Sequence, residues 1–471
     1  MGKAGGEASE KIKWESFEGS RTLPGKLAAS LLRWMGETAV QLYYPRRSVA
    51  GAEHLPPRGG AIYVANHPNG LLDPMALRVT LKRPVRFLAK STLWGNPFGR
   101  LAMDAFACLP VFRLRDAAEI GRVDTVALNE ETFARCRAAL AAGDDLALYP
   151  EGTSHAEPRL KPLKTGAARI ALGAAAEAAL APARRPPVLV PVGSRYEAPA
   201  KFRSALHLVV GPPIDLGPYL PRHAADPRAA IDVLTDEIRA RLDELVLQAE
   251  SRELLAGIAR VASWTAEAPD DDAPARQHAR TRELLEAYAR LRAADPGRLA
   301  RLTEEVREYA ELLERMGVDD PWALELPRVP PSRLAAGLAR VVATAPLAMW
   351  GALVCWPAYR LTKVVARLAT KDEDVLGTMK MIGGAIFIVA GWLIEAGVIW
   401  RLWGLCLALA SLAVAPLAGY TALRFTESLR DVGAALRHLG WRARGRTARQ
   451  LAARRRALAA DVAEALRQAR A

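Results

Sequence analysis

Cysteine is scarce: Cys108, Cys136, Cys355 and Cys406 are the only four in 471 residues. They are scattered, with no pair at metal-ligand spacing, so neither a disulfide framework nor a cysteine metal site is expected, and a reducing, cytoplasm-facing location fits. The stretch Met1 to Gly25 lacks the basic, apolar, small-residue order of a signal peptide, which leaves any membrane attachment to segments inside the chain. No metal constellation appears, no cofactor is expected, and nothing in the pattern sets an oligomeric state. A G-x-S-x-G elbow is missing around Thr153 and Ser154, which argues against a hydrolase using either hydroxyl with His155 or His67. Acidic residues are outnumbered, 51 against 65 basic ones, for a net charge of +14. That excess predicts an anionic partner: nucleic acid, anionic lipid or a phosphorylated substrate.

The chain is longer than one hydrophobic core usually supports. Residues 1–22 are polar and read as disordered, and 23–48 as an amphipathic helix suited either to a membrane surface or to its own domain. Across 49–225, AIYVAN, VRFLA, ACLPVF, DLALYP, VLVPVG and LHLVVG are strand candidates. They alternate with helical segments at Arg122 to Ala142 and Lys164 to Ala179, as in an α/β domain. Residues 226–325 read as a charged helical appendage, a solvated spacer. A Pro-rich linker at 326–337, a membrane region at 338–425 and a basic helical tail at 426–471 complete the chain.

Three stretches in the membrane region approach the roughly 20 residues needed to cross a bilayer. Three hydrophobic stretches also argue against nucleic acid as the anionic partner and for an anionic lipid membrane. Were all three to cross, the basic run Arg360 to Lys371 and the basic tail would lie opposite the α/β domain, against the positive-inside tendency. A hairpin of the second and third keeps both basic segments on the cytoplasmic side. The first stretch, with Pro346 and Pro357, is then expected to be re-entrant or interfacial.

The chemistry concentrates in AIYVANHPNGLLDPMAL, where a strand ends at Asn66-His67 and Asp73-Pro74 opens a helix. A neutral imidazole can take a proton from a hydroxyl attacking an acyl carbonyl, and a carboxylate beside it fixes the tautomer and stabilises the imidazolium. The oxyanion formed needs donors, for which the turn amides at Gly70 or Gly152 are candidates. After DLALYP come Glu151, Gly152 and Thr153, then Arg159, Lys161 and Lys164, cations suited to a phosphate. Arg113 and Arg115, leaving another strand at alternate positions, form a second candidate phosphate clamp.

With these residues in view, the chain resembles the glycerolipid acyltransferase family, which includes glycerol-3-phosphate and 1-acylglycerol-3-phosphate O-acyltransferases. Four blocks carry the resemblance in family order from about Gly51 to Pro213: NHPNGLLDP, VFRLRD, YPEGTSH and VLVPVG. It implies a glycerolipid-acyltransferase-like α/β domain with His67 as general base and Asp73 as its partner. By the same resemblance Arg113, Arg115, Glu151, Gly152 and Thr153 bind the glycerol-phosphate acceptor, and Pro191 borders the acyl-donor region. Two departures, five residues between His67 and Asp73 where four are usual and Ser154-His155 where arginine is common, resemble a branch of fungal glycerol-3-phosphate/dihydroxyacetone-phosphate acyltransferases. KDEDVLGTMKMIGG resembles that branch too, extending the likeness to about Phe425.

The expectation is a multi-pass membrane enzyme with a cytoplasmic catalytic domain. It would transfer a fatty acyl group from an acyl thioester donor, acyl-CoA or acyl carrier protein, to a hydroxyl of glycerol 3-phosphate or dihydroxyacetone phosphate. The alternatives are a lysophosphatidate acyltransferase and a non-catalytic membrane scaffold.

Overall fold

A computed structural model describes residues 22–57, 59–113, 124–181, 185–266, 273–318, 331–443 and 445–470. The chain divides into two units: Met1–Gln248 with Asp372–Thr378, and Ala249–Lys371 with Met379–Ala471.

The first unit is built on a seven-stranded mixed sheet: β1 (Arg46–Ala50), β2 (Ala61–Ala65), β3 (Val85–Lys90), β4 (Leu109–Val111), β5 (Asp145–Leu148), β6 (Val188–Tyr196) and β7 (Ala205–Val210). Their spatial order is β1-β7-β6-β2-β5-β3-β4. Only the β6–β7 pair is antiparallel. The α/β expectation holds. All six strand candidates form strands, and the apolar run of β2 is buried at every position, as in a central parallel strand covered on both faces. The seventh strand, β1, has the sequence RRSVA and no apolar run, because an edge strand need not bury both faces.

Helices α1 (Leu23–Tyr43), α2 (Leu72–Leu81), α3 (Pro97–Ala105), α4 (Thr125–Ala141), α5 (Gly166–Ala179), α6 (Leu220–Ala225) and α7 (Pro227–Leu245) complete this unit. The alanine-rich face of α5, with Ala167, Ala168, Ala171 and Ala175 buried, lies in a core shared with Ile62, Leu146 and Leu189. α7, expected to open the appendage, belongs to this core instead through Ala230, Leu234, Ile238 and Leu242. The helix expected at 23–48 divides the two readings offered for it. Gly36 presses on Phe106 and Met75, and Val40 and Tyr43 are buried, while Leu23, Leu27, Leu31 and Trp34 form an exposed apolar stripe.

The second unit contains α8 (Arg252–Trp264), α9 (Ala273–Ala294), α10 (Pro296–Met316), the long helices α11 (Pro331–Ala369), α12 (Glu373–Trp403, from Met379 onward) and α13 (Leu405–Ala443), and α14 (Gly445–Arg470). α8, α9 and α10 are not a solvated spacer. Ile258, Trp264, Leu284, Tyr309 and Leu313 share one core with Leu451, Leu458 and Val462 of the C-terminal tail. Charge dominates their sequence because each helix shows most of its circumference to solvent and buries a single stripe.

Among the described residues three helices are long and apolar enough to cross a membrane: Ser332–Ala369, Glu373–Trp403 and Leu405–Gly433. α11 runs unbroken through Pro346 and Pro357, so the re-entrant form expected from those prolines is absent. Residues 331–337 of the expected linker are its first turns, and 326–330 lie outside the described residues.

Candidate active site

β2 delivers the site. Its last residue is followed by Asn66, whose buried amide clamps β2 to β6: Nδ2 donates to the Ser194 carbonyl at 3.0 Å and Oδ1 accepts from the Ser194 amide at 2.7 Å. The chain then turns through His67 and Gly70, with φ +47 at Gly70, and enters α2. That turn carries Asp73 back beneath His67, with His67 Nδ1 and Asp73 Oδ2 2.8 Å apart.

Asp73 is fully engaged by donors. Oδ2 also accepts the Asn69 amide at 2.7 Å, and Oδ1 accepts the Tyr196 hydroxyl at 2.7 Å. Its side chain is wholly buried, whereas that of His67 keeps 17% of its surface open. A carboxylate so fixed accepts a hydrogen bond from Nδ1–H and leaves the lone pair on Nε2, the arrangement a general base requires.

Three tyrosines enclose this pair, and none of them stands out in the sequence. The Tyr149 ring stacks on His67 at 4.4 Å between centroids. Tyr44 accepts from Asn69 Nδ2 at 2.8 Å and donates to the Pro199 carbonyl at 2.5 Å. Desolvation, and then the charge of Asp73, holds the Tyr149 and Tyr196 hydroxyls well above the ordinary tyrosine range, so both stay protonated. Tyr196 is therefore a permanent donor to Asp73. A tyrosine one strand away leaves no local spacing signal, which is why the sequence hides it.

The YPEGTSH block supports the site from below. Glu151 Oε1 accepts the His67 amide at 2.8 Å, Oε2 accepts the Lys161 amide at 2.9 Å, and His155 Nε2 bonds to the same oxygen. Burial alone would raise the carboxyl, but these donors hold it below the usual carboxylate range. With both oxygens taken and 3% exposure, Glu151 braces the turn that carries His67 and has no face left for an acceptor, a correction to the role expected from the resemblance. Gly152 is likewise corrected as an oxyanion donor, since its amide already donates to the Tyr149 carbonyl at 2.9 Å. It has φ +68, and a Cβ there would meet the Lys164 side chain at 2.8 Å. Gly70 keeps an amide with no protein acceptor among the described residues.

The remaining expected residues are spread around the sheet edge. Arg113 is half-buried just past β4, and Arg115 lies outside the described residues. Thr153 directs its hydroxyl to the Ser154 carbonyl at 3.4 Å. Lys161 lies 3.7 Å from Glu157, and Lys164 is exposed. Pro191 is buried within β6, in register with Val64. It is a strand residue whose carbonyl takes the Gly211 amide at 2.9 Å.

Residues 46–195 match the family model described as Acyltransferase, so the chain carries an acyltransferase-family domain, and His67, Asp73, Glu151 and Tyr149 all fall inside it. Over 273 residues the chain is 26% identical to glycerol-3-phosphate O-acyltransferase 2 of Saccharomyces cerevisiae, a match covering 54% of this chain and 36% of that protein. Over 122 residues it is 33% identical to glycerol-3-phosphate O-acyltransferase 1 of the same yeast, covering 25% of this chain and 15% of the relative. The matched stretches thus span little more than a third of these relatives at most. A solved structure of the 1-acyl-sn-glycerophosphate acyltransferase PlsC from Thermotoga maritima is 17% identical, with a TM-score of 0.32, covering 49% of this chain and 86% of that one.

Proposed function

We propose that this chain is a membrane-bound O-acyltransferase that moves a fatty acyl group from a thioester donor, acyl-CoA or acyl carrier protein, to a hydroxyl of glycerol 3-phosphate or dihydroxyacetone phosphate. The observation that carries this reading is the His67–Asp73 pair at 2.8 Å with Asp73 buried under three donors. His67 Nε2 takes the proton from the acceptor hydroxyl as its oxygen attacks the thioester carbonyl. The charge gathering on the carbonyl oxygen is met by a turn amide, for which Gly70 is the free candidate. Collapse breaks the C–S bond, and the imidazolium returns the proton to the departing sulfur. Arg113, Arg115, Lys161 and Lys164 are the cations proposed for the acceptor phosphate.

The decisive assay incubates purified protein with labelled acyl thioester and, in separate reactions, glycerol 3-phosphate, dihydroxyacetone phosphate and lysophosphatidate. Labelled monoacyl product from either of the first two supports the reading, and labelled phosphatidate alone moves the assignment to a lysophosphatidate acyltransferase. No acylated lipid from any acceptor would make the chain a scaffold.

For the membrane we propose two crossings, α12 and α13, with the catalytic domain cytoplasmic. α8 to α10 and α14 share one core, so an even number of crossings separates them. Asp372–Thr378 belongs to the same unit as the sheet, so the chain leaves that unit after Gln248 and regains it at Asp372 with α8 to α11 between, of which α11 alone among the described residues is apolar enough to cross. The exposed stripe on α1 supplies a further lipid-facing surface. One contact favours a third crossing: a Cβ at Gly351 of α11 would lie 2.1 Å from the Ala418 carbonyl of α13, so these helices touch where α13 is apolar.

A further inference from the structure

The opening turn of α12 lies between two apolar helices in sequence, yet Asp372–Thr378 belongs to the sheet unit. It rests on the turn that carries the catalytic histidine. Ser154 Oγ donates to Asp374 Oδ2 at 2.5 Å. A Cβ at Gly70 would lie 3.1 Å from the Asp374 carbonyl, and one at Gly377 would lie 2.8 Å from Asn69 Oδ1. Both glycines permit backbone approaches that a side chain would block.

Two polar atoms at this contact are out of solvent and have no partner among the described residues: Asn69 Oδ1 and Thr378 Oγ1. Asn69 is 0% exposed and Thr378 5%. Tyr44 gives its own proton to Pro199 and accepts from Asn69 Nδ2, which fixes the amide with its oxygen toward Gly377. A buried acceptor and a buried hydroxyl left unpaired cost free energy unless something completes them. Thr378 Oγ1 and Ser154 Oγ each lie 3.8 Å from the Cβ position of Gly70, so the unfilled capacity borders the amide free to meet the oxyanion.

We propose that Asp372–Thr378 forms one wall of the active site, and that Thr378 and Asn69 determine specificity by hydrogen-bonding an oxygen of a small phosphorylated polyol or keto-alcohol acceptor that is not acylated. This rests on the acyl-transfer reading above. It assigns a recognition role to residues that composition would give to a membrane anchor. The segment therefore makes the site incomplete in a catalytic domain that lacks the membrane region.

The test uses the full-length protein in detergent or vesicles with glycerol 3-phosphate as acceptor. Thr378→Val keeps the shape and removes the hydroxyl. It is expected to raise the acceptor KM by about 2- to 10-fold, the range one neutral hydrogen bond supplies, with the donor KM unchanged and Thr378→Ser close to wild type. A Thr378→Val enzyme with wild-type acceptor KM, or with both KM values raised alike, overturns the specificity role. Docking is read separately. In a background stripped of native cysteines, Ser154→Cys with Asp374→Cys is oxidised with copper phenanthroline and examined by non-reducing electrophoresis for the crosslinked form. Absence of the crosslink in folded, membrane-bound protein overturns the wall itself. Because it is read without turnover, a chain that crosslinks but acylates no acceptor sinks the acyl-transfer reading and not the docking.

Discussion

Tyr196 donates its hydroxyl hydrogen to Asp73 Oδ1 at 2.7 Å, from the last residue of β6 to the second residue of α2. The bond ties the strand that carries the fourth sequence block to the first block and leaves the other carboxylate oxygen to His67 and the Asn69 amide. Tyr196→Phe keeps the ring and deletes this donor. A hydrogen bond to a charged group contributes about 1.5–3 kcal/mol, so turnover is expected to fall roughly 10-fold or more if Asp73 orientation limits the proton transfer. Steady-state kinetics check this, with kcat moving more than either KM. A Tyr196→Phe enzyme at wild-type kcat would show that the Asn69 amide alone holds Asp73.

His67→Ala is expected to abolish acyl transfer while leaving membrane association intact, because a general base contributes about 10²–10⁴-fold. Asp73→Asn should fall in the same direction, since an amide cannot stabilise the imidazolium as a carboxylate does. The measurement is labelled product formed by protein recovered from membranes, with circular dichroism as the folding control. Near wild-type turnover from His67→Ala would remove the mechanism.

How far the sequence could lead is visible in the same residues. His67 and Asp73 lie on one strand-turn-helix segment, so their meeting is a local consequence of the turn, and an apolar run such as AIYVA announces its buried strand. Glu151 was legible as a member of the site but not as its brace, because whether a carboxylate faces ligand or backbone depends on which amides converge on it. The pair Ser154-His155, where the third block departs from the usual pattern, has a physical account in the fold: His155 bonds Glu151 and Ser154 bonds Asp374. Tyr44, Tyr149 and Asp374 reach the site from distant elements. The helical appendage misled for the complementary reason, since its apolar stripe is completed by the tail, whose partner no local pattern names.

His207 on β7 gives the fold a pH dependence of definite sign. Burial, and then the nearby charge of Arg195, lowers its pKa from 6.5 to about 4, while its Nδ1 meets Ser48 Oγ of β1 at 2.9 Å. Between those two values the unfolded chain binds the proton and the folded chain does not, so stability falls as pH drops from 6.5 toward 4 and levels off below. The contribution is at most about 3 kcal/mol. Hydrogen exchange of peptides from β1 and β7 should show protection declining through that window. His207→Gln should flatten the decline, and an unchanged slope in the variant would place the titration elsewhere.

The two crossings proposed rest on where the ends of the apolar helices are held. The core shared by α8, α9, α10 and α14 favours an even number of crossings, and the return of Asp372–Thr378 to the sheet unit is the reason α12 and α13 are the pair proposed. Charge agrees: Arg360, Lys363, Arg367 and Lys371, together with the arginine-rich tail, then lie on the cytoplasmic side, where basic residues are favoured. Single cysteines in a cysteine-free chain, placed in the 360–371 run, beside Arg401 and in the tail, can be probed in sealed vesicles with an impermeant maleimide. The run and the tail are expected to react from the side of the catalytic domain, and the position beside Arg401 from the other side. Reaction of the run and the tail from the side opposite the catalytic domain would mean three crossings. The packing of α14 onto α8 to α10 and the active-site wall at Asp372–Thr378 would then both fail.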